Sequence, residues 1–328
     1  MPLPKTRLIW MNGRFVSWDK AQVHVLSHAL HYGSSWFEGI RAYRTRRGTG
    51  VFRLHDHLKR LEHSCKIYYT ELPYSVEQLA EATVELLRRN QLRDGYIRPI
   101  VFRGYGEMGV TPFGCPVEVA IAAWKWGRYL GKDSLDIGID VCISSWTRLH
   151  GNTLPTVAKA AANYMNSQLV RIEALRHGYD EGITLDAHGN LSEGSGENVF
   201  IVRDGVLYTP PVAASILPGI TRATVFQLAR DAGVPVVEQV IPRAMLYVAD
   251  EIFLTGTAAE ITPVRSVDRI TIGSGAVGPI TRTIIERFLA IVRAGDDPYG
   301  WLTFVNEPGR ARATTTKHGR ISHPLDGK

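Results

Sequence analysis

The sequence predicts an α+β fold built as two sheet-containing domains, and three observations carry that prediction. Its 328 residues exceed the roughly 150 that one domain usually takes. Strand patterns of period two and helical patterns of period 3.6 both recur along the chain, with no internal repeat. A Gly-rich polar stretch from Gly127 to Asp136 separates two such groups. The expected division is a small domain over 1–127, a linker over 128–136, a larger domain over 137–305 and a mobile tail over 306–328.

In the first group, RLIWMNGRFV and GIRAYRTRRGTGVFRL read as hairpins with turns at Asn12-Gly13 and Arg47-Gly48. From Asp56 the spacing becomes helical, with Leu58, Leu61 and Cys65 on one face. Val76, Leu79, Ala80, Thr83, Leu86 and Leu87 repeat it over 76–90. YIRPIVFRG and VEVAIAAWKW read as strands. In the second group IDVCISSWTR reads as a strand and Ala158–His177 as a helix. ITLDAHGN and ENVFIVRDGVLYTP form a strand-turn-strand unit. A helix over Thr221–Ala232 ends at Gly233, DEIFLTG is a strand, and 279–294 is the last helix.

Composition excludes several classes. Forty-five per cent hydrophobic and 21 % charged residues are ordinary globular values. The net charge of +6 is unevenly spread: 1–60 holds eleven Lys/Arg against three Asp/Glu, and 306–328 five against two. The bulk of the chain is therefore slightly acidic, which argues against a nucleic-acid binder. Cys65, Cys115 and Cys142 are odd in number and far apart, as a reducing cytoplasm allows. No apolar h-region opens the chain, and its longest charge-free runs, 21–37 and 205–221, contain histidines and prolines. Neither a signal peptide nor a membrane span is expected.

No G-x-G-x-x-G, P-loop, H-E-x-x-H or G-x-S-x-G motif occurs. His24, His28 and His31 have the spacing of a metal face, but Tyr32, Trp36 and Phe37 beside them favour packing, and no metal site is expected. Four segments in the second half offer chemistry. Lys159 lies among Val157, Ala158, Ala160, Ala161 and Ala162, where poor solvation lowers an amine's pKa and suits Schiff-base chemistry. A surface lysine fits the same pattern. Glu193, in a glycine-rich turn with Glu197 four residues on, suits a cationic ring nitrogen or is a solvated turn residue. Pro218-Gly219 leading into a helix at Thr221 forms either an anion site or an ordinary cap. Gly256-Thr257-Ala258-Ala259 is a second anion cradle or a tight turn.

These segments resemble one family together. SHALHYGSSWFEGIRAY, GYIRPIVFRG, MGV, KAAANY, LSEGSGENVFIVRDGVLYTPP, LPGITR and FLTGTAAEITPVRSVD, over about 7–305, are similar to the branched-chain amino acid aminotransferases. These are pyridoxal 5′-phosphate enzymes of fold type IV. The resemblance implies a small N-terminal α/β domain, a larger C-terminal pseudo-barrel domain, and the cofactor between them. It implies reversible amino transfer between L-Leu, L-Ile or L-Val and 2-oxoglutarate by a ping-pong route.

Carried onto this chain, the resemblance makes Lys159 the Schiff-base and proton-moving lysine. Glu193 becomes the partner of the pyridine nitrogen, and Tyr164, one helical turn after Lys159, the donor to the ring's phenolate oxygen. Arg60, with Gly219, Ile220, Thr221 and Thr257, becomes the phosphate cradle, and Leu217 packs on the ring. For substrate, Phe37, Gly39, Trp126 and Tyr164 imply an apolar wall, joined by Met108 and Val110 from a partner subunit. Arg98, with Tyr32 and Tyr129, implies the seat of the glutamate γ-carboxylate. Tyr96, Ala258 and Ala259 imply that of the α-carboxylate, and Arg41 lies near the cleft. A homodimer or homohexamer is implied.

Within the fold, D-amino-acid aminotransferases and aminodeoxychorismate lyases share the Lys159-like and Glu193-like residues. The Tyr96-x-Arg98 pair, Met108-Gly109-Val110 and Gly39 favour the branched-chain kind, with a side activity on (R)-amines left open. A nucleic-acid module using Arg41, Arg44, Arg46, Arg47 and Arg53 is the rival from another class. The bland reading is a solvated hairpin with Arg41 turned inward.

Overall fold

A computed structural model describes residues 3–127 and 137–306. The expected linker 128–136, Tyr129 and nearly all of the tail lie outside these. Two sheets organise the molecule, the first wholly antiparallel and the second mixed. Each has an apolar cluster of its own, and a further cluster joins Tyr43 and Phe52 of the first half to Phe200 and Phe253 of the second.

The first sheet begins with the hairpin of β1 (Leu8–Met11) and β2 (Arg14–Ser17). Asn12 and Gly13 both take positive φ, 47° and 82°, as a two-residue turn matched to strand twist requires. A short helix α1 (His28–Tyr32) and strand β3 (Ser35–Phe37) follow. The second hairpin pairs β4 (Ile40–Thr45) with β5 (Gly48–Phe52). Thr45 pairs with Gly48, so the loop residues are Arg46-Arg47, one position earlier than expected. Helix α2 (Leu54–Ile67) starts two residues before Asp56 and buries Leu54, Leu58, Leu61 and Cys65. Helix α3 (Val76–Arg89) buries the six apolar-face residues read from its spacing, and Ser75 and Gln78 close a capping box at its start. β6 (Gly95–Arg103) and β7 (Val117–Trp124) complete the framework.

The second sheet contains β8 (Ile139–Ile143), β9 (Glu181–Leu185), β10 (Leu191–Gly194), β11 (Asn198–Arg203), β12 (Val206–Thr209), β13 (Val236–Glu238), β14 (Glu251–Gly256), β15 (Glu260–Val267) and β16 (Ile270–Thr271). Its main path runs β10-β9-β8-β15-β14-β11-β12-β13, with β16 on β15. Helices α4 (Tyr164–Arg176), α5 (Ile220–Asp231) and α6 (Pro279–Leu289) belong to this half. The last continues into a π-helical turn over Ala290–Ala294. Gly233, at φ 71°, follows α5 as expected.

Four expectations need correction. The strand expected to reach Arg148 stops at Ile143, and 144–148 is irregular. The helix expected from Ala158 begins at Tyr164, after a single 3₁₀ turn at Ala161–Asn163. Lys159 is therefore extended: its carbonyl accepts from Phe37 N at 3.1 Å, and Ala160 bridges Trp36. Pairing with β3 overrides the helix propensity of the alanine run. Glu193 lies on β10, and the turn is Ser195-Gly196-Glu197 just after it. Finally, β17 (Leu302–Phe304) pairs with β5, so the end of the expected second domain joins the first sheet. Its order is β17-β5-β4-β6-β7-β1-β2, with β3 on β6.

Candidate active site

A cavity of about 990 Å³, its open mouth included, lies between the two sheets. Three side chains on one face of α2 organise it. His57 and Arg60 approach Glu38, in the β3–β4 connection, and Ser64 Oγ accepts from Lys159 N at 2.9 Å. The segment bearing Lys159 is thus tied to β3 on one side and to α2 on the other. Its Nζ donates to the Tyr164 hydroxyl and lies 5.1 Å from the Phe37 ring centroid. Tyr164 and Phe37 pack at 4.8 Å. Tyr164 is the first residue of α4, so it meets Lys159 across the 3₁₀ turn and not along one helix.

Opposite the lysine, Glu193 is buried with four partners in this structure. Its Oε1 pairs with Arg148 Nη2 at 2.6 Å. Its Oε2 accepts from Asn198 Nδ2 at 2.9 Å and from Leu217 N at 3.0 Å, while its carbonyl accepts from Thr184 Oγ1 at 2.7 Å. Burial pushes the carboxyl above its ordinary value, and Arg148 and the Leu217 amide pull the other way. Glu197, also on the cavity wall, is pushed up to about 8 by burial first and by the Glu181 carboxylate second.

A second end of the cavity is built by the start of α5. Gly219 is its N-cap and supplies no side-chain cap, so the first N–H groups of the helix face the cavity beside Ile220 and Thr221. A Cβ at Gly219 would stand 2.0 Å from Asn198 Oδ1, which explains the glycine. Arg60 reaches the same end and donates to the Pro218 carbonyl at 3.0 Å. Thr257 and Ala258, after β14, close the wall.

At the other end, Phe37, Gly39, Tyr96, Arg98 and Trp126 line the cavity. A Cβ on Gly39 would lie 1.8 Å from the Tyr96 hydroxyl, so glycine is required for that ring to sit there. Trp126 meets Tyr96 edge-on at 4.5 Å. The Arg98 guanidinium stands over the Phe37 ring at 4.6 Å, and its buried Nε has no hydrogen-bond partner. It is a cation among aromatic faces, as a pocket serving both apolar and acidic side chains needs.

Other expected residues sit elsewhere. Arg41 is buried 3.6 Å from Glu260 and donates to Gly127 O at 3.4 Å, off the cavity wall. Ala259 is buried behind Ala258. Tyr32, Met108 and Val110 are 43 %, 49 % and 88 % exposed and outside this chain's own cavity. His28 supports their loop, its Nε2 lying 2.8 Å from Gly109 O. His24 packs on Tyr105, and His31 Nε2 lies 3.0 Å from Val25 O. Among the described residues, no cluster of His, Cys, Asp or Glu has the arrangement of a metal site.

Glu38, His57, Ser64, Arg148 and Asn198 were not read from the sequence as parts of the site. Glu38 left a usable signal: a carboxylate inside Trp36-Phe37-Glu38-Gly39-Ile40 is buried only if paired. Arg148, in what reads as an ordinary strand end, left none.

The residues present fit pyridoxal phosphate. A lysine amine, a hydroxyl beside it, a buried carboxylate and the start of a helix share one cavity, and two of its glycines, Gly39 and Gly219, leave no room for a Cβ. Two sheets enclosing such a site define a pyridoxal-phosphate transaminase of fold type IV. The sequence pattern of the family described as "Amino-transferase class IV" matches residues 35–267. The branched-chain-amino-acid aminotransferase of Escherichia coli K12 is 52 % identical over 94 % of this chain and 100 % of its own. That of Pseudomonas aeruginosa is 47 % identical over 91 % of this chain and 97 % of its own. A crystal structure of the E. coli enzyme superposes with a TM-score of 0.90 at 52 % identity, covering 92 % of this chain and all of its own. The branched-chain amino acid aminotransferase of Thermobaculum terrenum, in its PLP form, gives 0.87 at 38 %, covering 92 % and 99 %. The chain belongs to the class IV aminotransferases, and within them to the branched-chain amino acid aminotransferases. Its reaction is reversible amino transfer between L-Leu, L-Ile or L-Val and 2-oxoglutarate, with pyridoxal 5′-phosphate as carrier.

Proposed function

We propose that Lys159 is the lysine of this transamination and that the cavity around it divides into a phosphate end, a ring site and a substrate end. What supports this reading is the position of Lys159 Nζ, held by the Tyr164 hydroxyl between the N-terminus of α5 and the carboxylate of Glu193. When bound, pyridoxal phosphate supplies an electron-accepting ring that stabilises negative charge at the substrate Cα.

The protein's part is to hold groups and move protons. Arg60, Thr221, Thr257 and the amides at Gly219 and Ile220 bind the phosphate, and Leu217 packs on the ring face. Glu193 holds a proton at the ring nitrogen, with Arg148 and Asn198 fixing its two oxygens. Tyr164 donates to the phenolate oxygen. Lys159 Nζ would take the proton from the substrate Cα and hold it for delivery, acting in turn as general base and general acid. Tyr96 and the Ala258 amide receive the α-carboxylate. Phe37 and Trp126 enclose an apolar side chain, and Arg98 receives a γ-carboxylate at the same place. Gly39 keeps room for the Tyr96 hydroxyl. Arg41, paired with Glu260, steadies the approach to 257–259 and does not touch substrate.

The working unit is a homo-oligomer, at least a dimer. Tyr32, Met108 and Val110 lie on an exposed part of this chain, away from its own cavity, and a neighbour's cavity is where they would complete the wall. The three buried free cysteines fit a cytoplasmic location. Among the described residues, no helix is long and apolar enough to cross a membrane.

Lys159→Ala tests the assignment. The variant is expected to lose the borohydride-reducible yellow chromophore and all turnover. Peptide mapping of the reduced wild-type protein should place the label on Lys159; a label on another lysine would overturn the reading.

A further inference from the structure

Arg60, the cation assigned above to the phosphate, does not stand free in the cavity. Its Nε donates to Glu38 Oε1 at 2.7 Å and its Nη2 to Glu38 Oε2 at 2.8 Å. Nη1 donates to the Pro218 carbonyl across the cleft at 3.0 Å. A guanidinium carries five N–H groups, so two remain, one on each terminal nitrogen. Glu38 is fully buried, and its amide donates to Pro99 O at 2.9 Å. Its Oε2 also lies 2.7 Å from Nδ1 of the buried His57.

The protonation states follow from these contacts. Burial raises the Glu38 carboxyl, but Arg60 and His57 outweigh it and hold the group well below the usual carboxylate range. Burial also holds His57 below its ordinary value, against the pull of Glu38. Near neutral pH His57 is thus uncharged, and Nδ1–H donates to the carboxylate.

The Glu38–Arg60 pair is therefore electrically neutral before any phosphate arrives. If Arg60 acted by charge alone, a carboxylate in this place would oppose its task. The fork geometry shows what Glu38 contributes instead. Two parallel N–H···O bonds fix the guanidinium plane, and Pro218 fixes its rotation. The long side chain is frozen before the ligand binds, so that ordering cost does not fall on binding.

We propose that Glu38, oriented by His57, is the positioning residue for the phosphate end of the cofactor, holding Arg60 with its two remaining N–H groups toward the anion. This rests on the assignment of Arg60 to the phosphate. The shared chemistry is a phosphate monoester dianion. Pyridoxal, which lacks that group, is the control ligand.

The test uses the full-length enzyme, resolved of cofactor and titrated with pyridoxal 5′-phosphate or pyridoxal, binding being followed by absorbance. Glu38→Gln keeps the shape but offers one acceptor where two are needed. It is expected to weaken pyridoxal phosphate at least roughly tenfold, the scale of one charge-assisted hydrogen bond, and pyridoxal by less than about twofold. Unchanged or tighter phosphate-ester binding would overturn the proposal, since a counter-charge role predicts tightening. Arg60→Met separates the two levels. If it leaves the preference for the phosphorylated ligand intact, the assignment of Arg60 and the proposal fall together. If it abolishes the preference while Glu38→Gln does not, the positioning role alone falls. Should Glu38→Gln fail to fold, Glu38→Gln/Arg60→Met removes both charges and is compared with Arg60→Met. Equal ligand preference supports the proposal, and any further loss in the double variant refutes it.

Discussion

Arg98 is the side chain to which the proposed reading assigns dual specificity. Its guanidinium lies on aromatic faces and its Nε lacks a partner, so a leucine side chain meets ring surface while a γ-carboxylate meets a poorly solvated cation. Arg98→Met is expected to lower kcat/KM for glutamate and 2-oxoglutarate by about 30- to 1000-fold, the 2–4 kcal/mol typical of truncating a buried charge pair. Leucine should change by far less. A half-reaction panel read by cofactor absorbance checks this, and equal losses on both substrates would remove the dual role. The sequence made Arg98 and Tyr96 visible as neighbours on one strand face, and the family resemblance gave them a task. Arg148 was illegible by comparison, and the signal at Glu38 said only that it would be paired, not with what. Glu38 pairs with Arg60 and Arg148 with Glu193, and a partner 22 or 45 residues away in sequence leaves no periodic trace.

Elements with local causes were read well. The apolar face of α3 and the Asn12-Gly13 turn follow from spacing and backbone preference, and the structure reproduces both. The capping box adds a local prediction. Ser75→Ala removes the bond from Gln78 N and is expected to cost about 1 kcal/mol of stability, with turnover unchanged. Urea unfolding followed by helical circular dichroism, with activity measured in parallel, checks both parts. Where a distant strand competes, local reading fails. The alanine-rich run at 158–162 has helix propensity, yet pairing with Trp36 and Phe37 keeps Lys159 and Ala160 out of a helix, and Ala161–Asn163 makes only a 3₁₀ turn. That difference has a chemical consequence, since an extended backbone bonded on both edges holds Lys159 more firmly than a fraying first helical turn.

The two halves of the molecule meet through charge as well as packing. Arg60 bonds to Pro218 O, Arg41 pairs with Glu260, and β17 returns from the end of the chain to β5. The exposed Tyr32, Met108 and Val110 extend this logic to a second subunit. Val110→Arg should inactivate the enzyme by spoiling a neighbour's cavity, and Lys159→Ala should inactivate its own. Refolding the two inactive variants together should restore activity at roughly a quarter of the sites of a randomly mixed dimer. A mixture that stays inactive while sedimenting as a dimer would show that each chain completes its own cavity.

The sequence by itself determined the class of elements, much of their order and, through ordered motifs, the family and its reaction. These depend on residue type and short spacing, which a linear string preserves. The tertiary structure alone decided that Lys159 stands outside the helix, that Glu193 is gripped by Arg148 and that Glu38 is paired with Arg60. Those facts depend on which distant side chains share a buried space. Burial converts such neighbours into obligatory partners, because an ionised group removed from water persists only where opposite charge and hydrogen bonds replace its hydration.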